Sequence, residues 1–502
     1  MKDNVCKTIE KYKENLEKRL ENNNEESTTP VFSAANIEYD ISGRVSAIHC
    51  GGIGLVDQLV KKIKLPEMIN NRLDLLKRHK PYFESDHILN IAYNIICGGT
   101  CLEDIELLRN NAAYMDAMGT KRIPDPTTAG DFLRRFEEED VHAVMDISNE
   151  AARHVWETTL DEDSRQAGII DVDGKIQETY GECKEGMDMS YKGVWGFSTL
   201  AATEATTGTH LCVVNRPGNK LSQEGAGKWI DKAIAVVKKS FNKVYLRGDS
   251  AFALTDKFDE WSGNDVGFIF GYSKWQNLLK KADLLNENEW GNIEKPQKGR
   301  GKERKKKHRV KRAMVIKREY ETITQKNQYV AEFRYRPTKC ERNYRVIVLK
   351  KIVDVTKGQQ LLFEDCQYLF YITNIMDMSP IDLLQFIRGR CNHENKIEQL
   401  DNGIHALKMP AAEFMANWAY MAICSLAWNL KSWMGLVLPD KKMGKEIIAC
   451  EFKSFQNKMI NIPCQILNTG RKIVYRFLNY NPYVEAIFDA LYEIQRLRFS
   501  SA

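Results

Sequence analysis

The stretch KVYLRGDSAF (Lys243–Phe252) is an apolar run that stops in Arg-Gly-Asp-Ser. It reads as a buried strand with a carboxylate, Asp249, where the strand ends. Strand ends in α/β sheets commonly hold ligands and metals. Turns favour Asp too, so the meaning of Asp249 depends on other acids in matching places. Upstream, QAGIIDVDGKIQETYGE reads as another strand, and Asp171 and Asp173 in GIIDVDG stand two apart. Residues two apart in a strand face the same side, and two like charges side by side are costly without a cation. Downstream, Glu394 lies in RGRCNHENKIEQL, in a helix after the last predicted sheet strand. Hard divalent cations take oxygen ligands and keep several waters, so two or three such carboxylates suffice to hold them. Paired ions of this kind activate water and stabilise the leaving oxygen of a phosphodiester. The plainer reading is that these acids cap turns and make surface ion pairs. With 68 acidic residues in the chain, some fall at strand ends by chance.

Around these residues the pattern is that of a mixed α/β sheet. YKGVWGFSTLAATEATTGTHLCVVNRPGN reads as successive strands with glycine turns. SQEGAGKWIDKAIAVVKKSF is an amphipathic helix, with Trp229, Ile230, Ala233 and Val237 near one face. Strands, then a helix, then the Lys243 strand define the mixed sheet. Residues 273–365 interrupt the order with KWQNLLKKADLLN, a basic run, and strand-like stretches such as QYVAEFRYRP and NYRVIVLKKIVDV. They predict a β-rich insertion domain. The sheet resumes with YLFYITNI (368–375), followed by two long helical stretches, PIDLLQFIRGRCNHENKIEQLDNGIHAL and AAEFMANWAYMAICSLAWNLKSWMG.

Farther out, residues 1–30 are polar and read as a flexible N-terminus with a frayed helix. Residues 31–48 alternate weakly and predict short strands. From about 52 to 158 the pattern is helical. HILNIAYNIICGG is a buried helix that stops at Gly98-Gly99. Thr100-x-x-Glu103 predicts a capping box for the next helix. In DPTTAGDFLRRFEEEDV, Arg134 and Arg135 flank an apolar side made by Phe132, Leu133 and Phe136. Short helices with tight glycine turns permit DNA binding, as they permit any all-α domain.

The 502 residues suffice for about three domains. Apolar residues make up 43%, enough for a large core, which excludes gross disorder. The net charge of +5 is modest. The twelve cysteines include no CxxC pair, and Cys97 and Cys101 have a helix-face spacing. They predict reduced thiols in a cytoplasmic protein. The charged first twenty residues are unlike a signal peptide. No apolar run reaches the ~18–20 residues of a membrane helix, so no membrane partner is expected. Cys183, Glu185 and Asp188 have no neighbouring His and give no zinc pattern.

The ordered series IIDVDGK, YKGVWGFSTL, VVNRPGN, LRGDSAF and RGRCNHEN resembles the DDE transposases of bacterial insertion sequences. The likeness spans roughly 165–430, and the subgroup with a β-rich insertion before the Glu is nearest. It implies an RNase H-like core in which two Asp and one Glu bind two Mg²⁺ ions, with Mn²⁺ as a substitute. It also implies that the enzyme nicks and rejoins DNA. Carried over, the first Asp is Asp173, preferred because the small Gly174 follows it, with Asp171 as the alternative. The second is Asp249 and the third Glu394. Relatives often surround this Glu with a Tyr, an Arg and a Lys. Arg390 fits the Arg. The Tyr position holds Ile387, beside Phe386, and the Lys position holds Asp401, leaving Lys396 as the nearest other cation. Glu398, one turn beyond Glu394, is a fallback ligand. His393 adjoins Glu394, but neighbours on a helix point in different directions.

KGRGKERKKKHRVKR (298–312) carries ten Lys/Arg and one Glu. Alone, such a run is usually a solvated loop. In an insertion facing an active site it predicts DNA contacts from Arg300, Lys302, Arg304, Lys305, Lys306, Lys307, Arg309, Lys311 and Arg312. Trp275 and Trp290 flank the tract. In relatives that join strand ends as a DNA hairpin, a Trp of the insertion holds a flipped base, and these two are the candidates here; otherwise they are packing residues.

The expected layout is a helical DNA-binding domain (31–160), an RNase H-like core (161–272 and 366–435) split by the insertion (273–365), and a C-terminal helical region (436–502). The expected function is cut-and-paste transposition by a dimer on double-stranded DNA, acting on terminal inverted repeats and target DNA. A two-metal nuclease without strand transfer and an inactive DNA-binding descendant of a transposase are the rival readings.

Overall fold

The computed structural model describes residues 2–21, 37–40, 43, 45–179, 181, 183–293, 321–357, 360–470 and 472–498; side chains at 2–4, 321–326, 355–357, 360–365 and 391–395 are also left out of the description. The chain forms two compact units, one from 1–164, 175–220 and 396–502, the other from 165–174 and 221–395.

In the second unit a mixed sheet carries the candidate acids. Strand β1 (Ala167–Glu178) pairs in parallel through its first half with β2 (Lys243–Gly248), and β2 pairs in parallel with β3 (Val266–Tyr272). Between β1 and β2 the chain crosses over through helix α1 (Ala226–Val237). Trp229, Ile230, Ala233 and Val237 are buried on its inner face, as the periodicity predicts. Helix and strand approach so closely that a Cβ on Gly168 of β1 would lie 2.3 Å from Val237 Cγ1. Three long antiparallel strands extend the sheet: β4 (Glu321–Tyr335), β5 (Tyr344–Lys357) and β6 (Gln360–Thr373).

These long strands make up part of the expected insertion (273–365), of which 294–320, 358 and 359 lie outside the described residues, and they continue the sheet of the core. β6 runs unbroken from the hairpin with β5 to Phe370–Thr373, which pair with Ile269–Tyr272 of β3. One backbone ladder therefore joins the insertion to the core, and the expected boundary at 365/366 falls inside a strand. One face of this sheet buries Phe268 and Phe270 with Phe258, Trp261 and Tyr344, ring centroids 4.4–6.3 Å apart. The other buries Ile269, Ile347 and Leu349 under helix α2 (Pro380–Arg388) through Leu383, Leu384 and Ile387.

The long helix predicted from Pro380 onward is two helices, α2 and α3 (Cys391–Asn402). At the break, the Phe386 carbonyl accepts from Gly389 N (3.2 Å) and from the Arg247 guanidinium (2.7 Å). In a continuous helix that carbonyl would accept from Arg390 N, which here donates to Ile387 O.

In the first unit the 24-residue helix Phe414–Val437 is buried nearly all round. Trp418 Nε1 donates to Val213 O and Trp428 Nε1 to Gly208 O, seating it against the hairpin of Trp195–Glu204 and His210–Val214. Helices Glu84–Ile96 and Glu138–Thr159 pack on it as well. Residues 31–160 thus share their core with C-terminal helices. The expected capping box uses a different acid: Asp104, in place of Glu103, accepts from Thr100 N at 2.7 Å and Cys101 N at 3.3 Å. Within 31–48, where strands are expected, Ala47–Ile48 pairs with Cys464–Gln465, and residues 31–36, 41, 42 and 44 lie outside the described residues. The C-terminal region expected to be helical contains the hairpin Cys464–Thr469 and Lys472–Phe477. The described cysteines are free thiols. Among the described residues no helix is long and apolar enough to cross a membrane.

Candidate active site

The site is built by the register of two parallel strands. The last β1–β2 pair is Val172 with Gly248. Asp173 and Asp249 each follow at once, Asp249 just past the end of β2 and Asp173 within β1, which runs on to Glu178, so the two acids stand side by side where the parallel pairing ends. Adjacent strands lie about 4.8 Å apart, a spacing at which carboxylates on neighbouring strands can share a cation. Both side chains are half-buried. Asp249 Oδ1 accepts from Ala251 N at 2.9 Å and caps the short 3₁₀ turn Ser250–Phe252, which fixes the carboxylate at the strand end. Asp173 Oδ1 accepts from Gly174 N at 2.8 Å, while Oδ2 takes Arg390 Nη1 at 3.0 Å. Arg390 directly precedes α3, so this contact sets the start of the Glu394 helix beside Asp173. Glu394 lies in the first turns of α3, and its side chain lies outside the described residues, as does that of His393.

Asp171 is a different kind of residue. It is 1% exposed and forms a two-pronged ion pair with Arg247, Nε to Oδ1 at 2.7 Å and Nη2 to Oδ2 at 2.9 Å. The two residues face each other in the β1–β2 register. The Phe386 ring lies 4.9 Å from the same guanidinium. Arg247 thus neutralises Asp171 and ties α2 to the sheet through the Phe386 carbonyl. Sequence reasoning missed Arg247. Its signal was an arginine inside an apolar strand, a position that demands a buried partner.

The remaining expected residues are scattered. Ile387, at the Tyr position, is buried in the core. Asp401, at the Lys position, accepts from Lys175 at 2.7 Å. Lys396 Nζ donates to Ala205 O at 3.1 Å, and Glu398 accepts from Asn402. Trp275 is 59% exposed. Trp290 is half-buried, with Lys350 Nζ 5.3 Å from its ring centroid and Tyr368 at 6.2 Å. The basic tract from Arg300 to Arg312 lies outside the described residues.

No curated protein sequence matches the chain. Among solved structures it is similar to one described as a cryo-EM structure of piggyBac transposase synaptic complex with hairpin DNA, at 9% identity, covering 90% of this chain and 86% of that one. The TM-score is 0.34, and at that level the likeness carries no argument. The family model described as transposase DDE domain group 1 matches residues 29–499, nearly the whole chain. The chain belongs to this family of DDE transposases.

Proposed function

We propose that the protein cuts and rejoins DNA at the ends of its own mobile element, with Asp173, Asp249 and Glu394 as the catalytic acids of an RNase H-like core. The observation that carries this reading is the placement of Asp173 and Asp249 side by side where the β1–β2 parallel pairing ends, with Arg390 tying the start of the Glu394 helix to Asp173. Asp173 is preferred to Asp171 as the first acid, because Asp171 is buried in a two-pronged ion pair with Arg247.

The residues fit hard divalent cations. Asp173 and Asp249 are half-buried carboxylates that offer oxygen donors. Two Mg²⁺ ions, with Mn²⁺ as the substitute, would be held by Asp173, Asp249 and Glu394 and would supply charge neutralisation and acidification of water. The chain's own part is positioning. The Asx turn at Asp249 and the Arg390 contact at Asp173 hold the carboxylates before DNA arrives. Arg390 adds a fixed guanidinium where a scissile phosphate would lie, suited to two-pronged phosphate contacts. Lys396 and the 300–312 tract are proposed to hold DNA beyond the cut. The freed 3′-hydroxyl is the later nucleophile, so no covalent enzyme intermediate is needed. Strand transfer needs two ends held together, which calls for a dimer on DNA.

Trp275 is the better of the two rings for stacking on an extruded base, because Trp290 already packs against Tyr368 and Lys350. Stacking of a base on an aromatic ring is worth about 1–3 kcal/mol. The test is a two-ended strand-transfer reaction with supercoiled target plasmid and Mg²⁺. Wild type should give joined products and Asp173→Asn none, with end binding retained. Joining by Asp173→Asn at the wild-type rate would remove this assignment. Nicking without any joining by wild type would favour the nuclease reading. Trp275→Ala should nick normally and accumulate unresolved ends; full activity would exclude the stacking role.

A further inference from the structure

The first unit carries a second cluster of ligand-type side chains, outside the candidate active site. Residues 72–83 form a loop between helix Leu65–Asn70 and helix Glu84–Ile96. Glu84 opens the second helix with 0% exposure, an unusual place for a carboxylate. Its Oε1 accepts from the Leu75 and Leu76 amides at 3.1 and 3.0 Å. Its Oε2 is buried and has no hydrogen-bond partner. His79 Nδ1 lies 3.3 Å from Oε2, within ion-pairing distance but outside hydrogen-bond geometry. Asp74 supplies a third donor, and one atom from each of the three residues lies within 4.8 Å of the others.

A buried carboxylate oxygen without a donor calls for a partner. Tetrahedral metal bonds of about 2.0–2.1 Å put neighbouring ligand atoms roughly 3.3–3.4 Å apart. The Glu84–His79 separation already has that length. The His79 ring is held by stacking on Phe83, centroids 5.4 Å apart and planes 14° apart. A mixed imidazole and carboxylate set suits Zn²⁺ better than Mg²⁺.

We propose that Asp74, His79 and Glu84 form a Zn²⁺ site, with water in the fourth position, that pins the loop between them. The consequence is local. Lys77, Arg78 and Lys80 lie between or beside these ligands in the chain and line a cavity of about 360 Å³ together with Arg135. Fixing the loop fixes these cations around the cavity, which Asp131 also lines.

The test uses the full chain carrying Asp173→Asn and Asp249→Asn, so metal at the candidate active site does not dominate. After dialysis against Zn²⁺, one ion per chain should remain, and Co²⁺ should give the visible absorption of a four-coordinate ion. Zn²⁺ should slow proteolysis at Lys77–Lys80. Adding His79→Gln or Asp74→Asn should lower affinity at least about 10-fold and abolish the protection, with unchanged circular dichroism. Absence of stoichiometric Zn²⁺, or undiminished affinity in the exposed-site variant Asp74→Asn, would overturn the proposal. No cleavage readout is involved, so its failure is distinguishable from failure of the proposed transposition chemistry.

Discussion

Asp171 and Asp173 are two residues apart, and their different partners predict opposite consequences on mutation. Asp171→Asn removes one charge from a pair whose side chains are 2% and 6% exposed. It leaves the Arg247 guanidinium buried with its two-pronged partner weakened. Breaking a buried pair on one side costs about 3–5 kcal/mol. In a folding unit of roughly 150–250 residues each kcal/mol moves the melting temperature by about 2–4 °C, so the expected fall is on the order of 6–20 °C. Asp173→Asn breaks a contact whose partners are each 17% exposed and should cost within about 1 kcal/mol, while abolishing cleavage. The double change Asp171→Leu with Arg247→Met removes both charges. Most of the stability should return, because Phe386 O keeps its bond from Gly389 N. Thermal unfolding followed by near-ultraviolet circular dichroism reads all of these. If Asp171→Asn melted within about 1 °C of wild type, or Asp173→Asn melted far below it, the division into one structural and one catalytic acid would be wrong.

Other outcomes follow from the same contacts. A Cβ on Gly389 would lie 2.6 Å from Arg247 Nη1, which Asp171 and Phe386 hold in place, so Gly389→Ala should destabilise by about 1–3 kcal/mol in urea unfolding. Asp171→Asn should share part of that cost when the two changes are combined. In the first unit, burial lowers the Lys431 pKa to about 7, although Nζ donates to Ile448 O at 3.0 Å. The unfolded lysine titrates near 10.4, so between about pH 7 and 10 the unfolded chain binds the extra proton and stability rises with pH. Lys431→Met should flatten that rise and raise the melting temperature most at or below pH 7; an unchanged slope would show that Lys431 is not the source.

The parts of the structure legible in the sequence were those written in local periodicity. The Ala226–Val237 helix, the apolar strand before Asp249 and the helix stop at Gly98 follow from side-chain spacing and glycine alone. The insertion boundary was not legible, because the continuity of β6 depends on pairing with β3, about a hundred residues upstream. The break before Arg390 was hidden too. It depends on an arginine from β2 reaching the Phe386 carbonyl, and nothing in RGRCNHEN announces that. In the GIIDVDG motif only the small Gly174 after it favoured Asp173 over Asp171. The structure distinguishes them because the β1–β2 register sets Arg247 opposite Asp171, whereas Asp173 lies one residue past the last pair.

The central claim is tested most directly by Mg²⁺-dependent cleavage of DNA carrying the element's own ends, comparing wild type with Asp249→Asn and Glu394→Gln and measuring end binding in parallel. Cleavage by wild type, with both variants binding but not cutting, is the predicted result. Variants that cut as fast as wild type would place the active site elsewhere, and binding without cleavage by all three, even with Mn²⁺, would contradict the catalytic account.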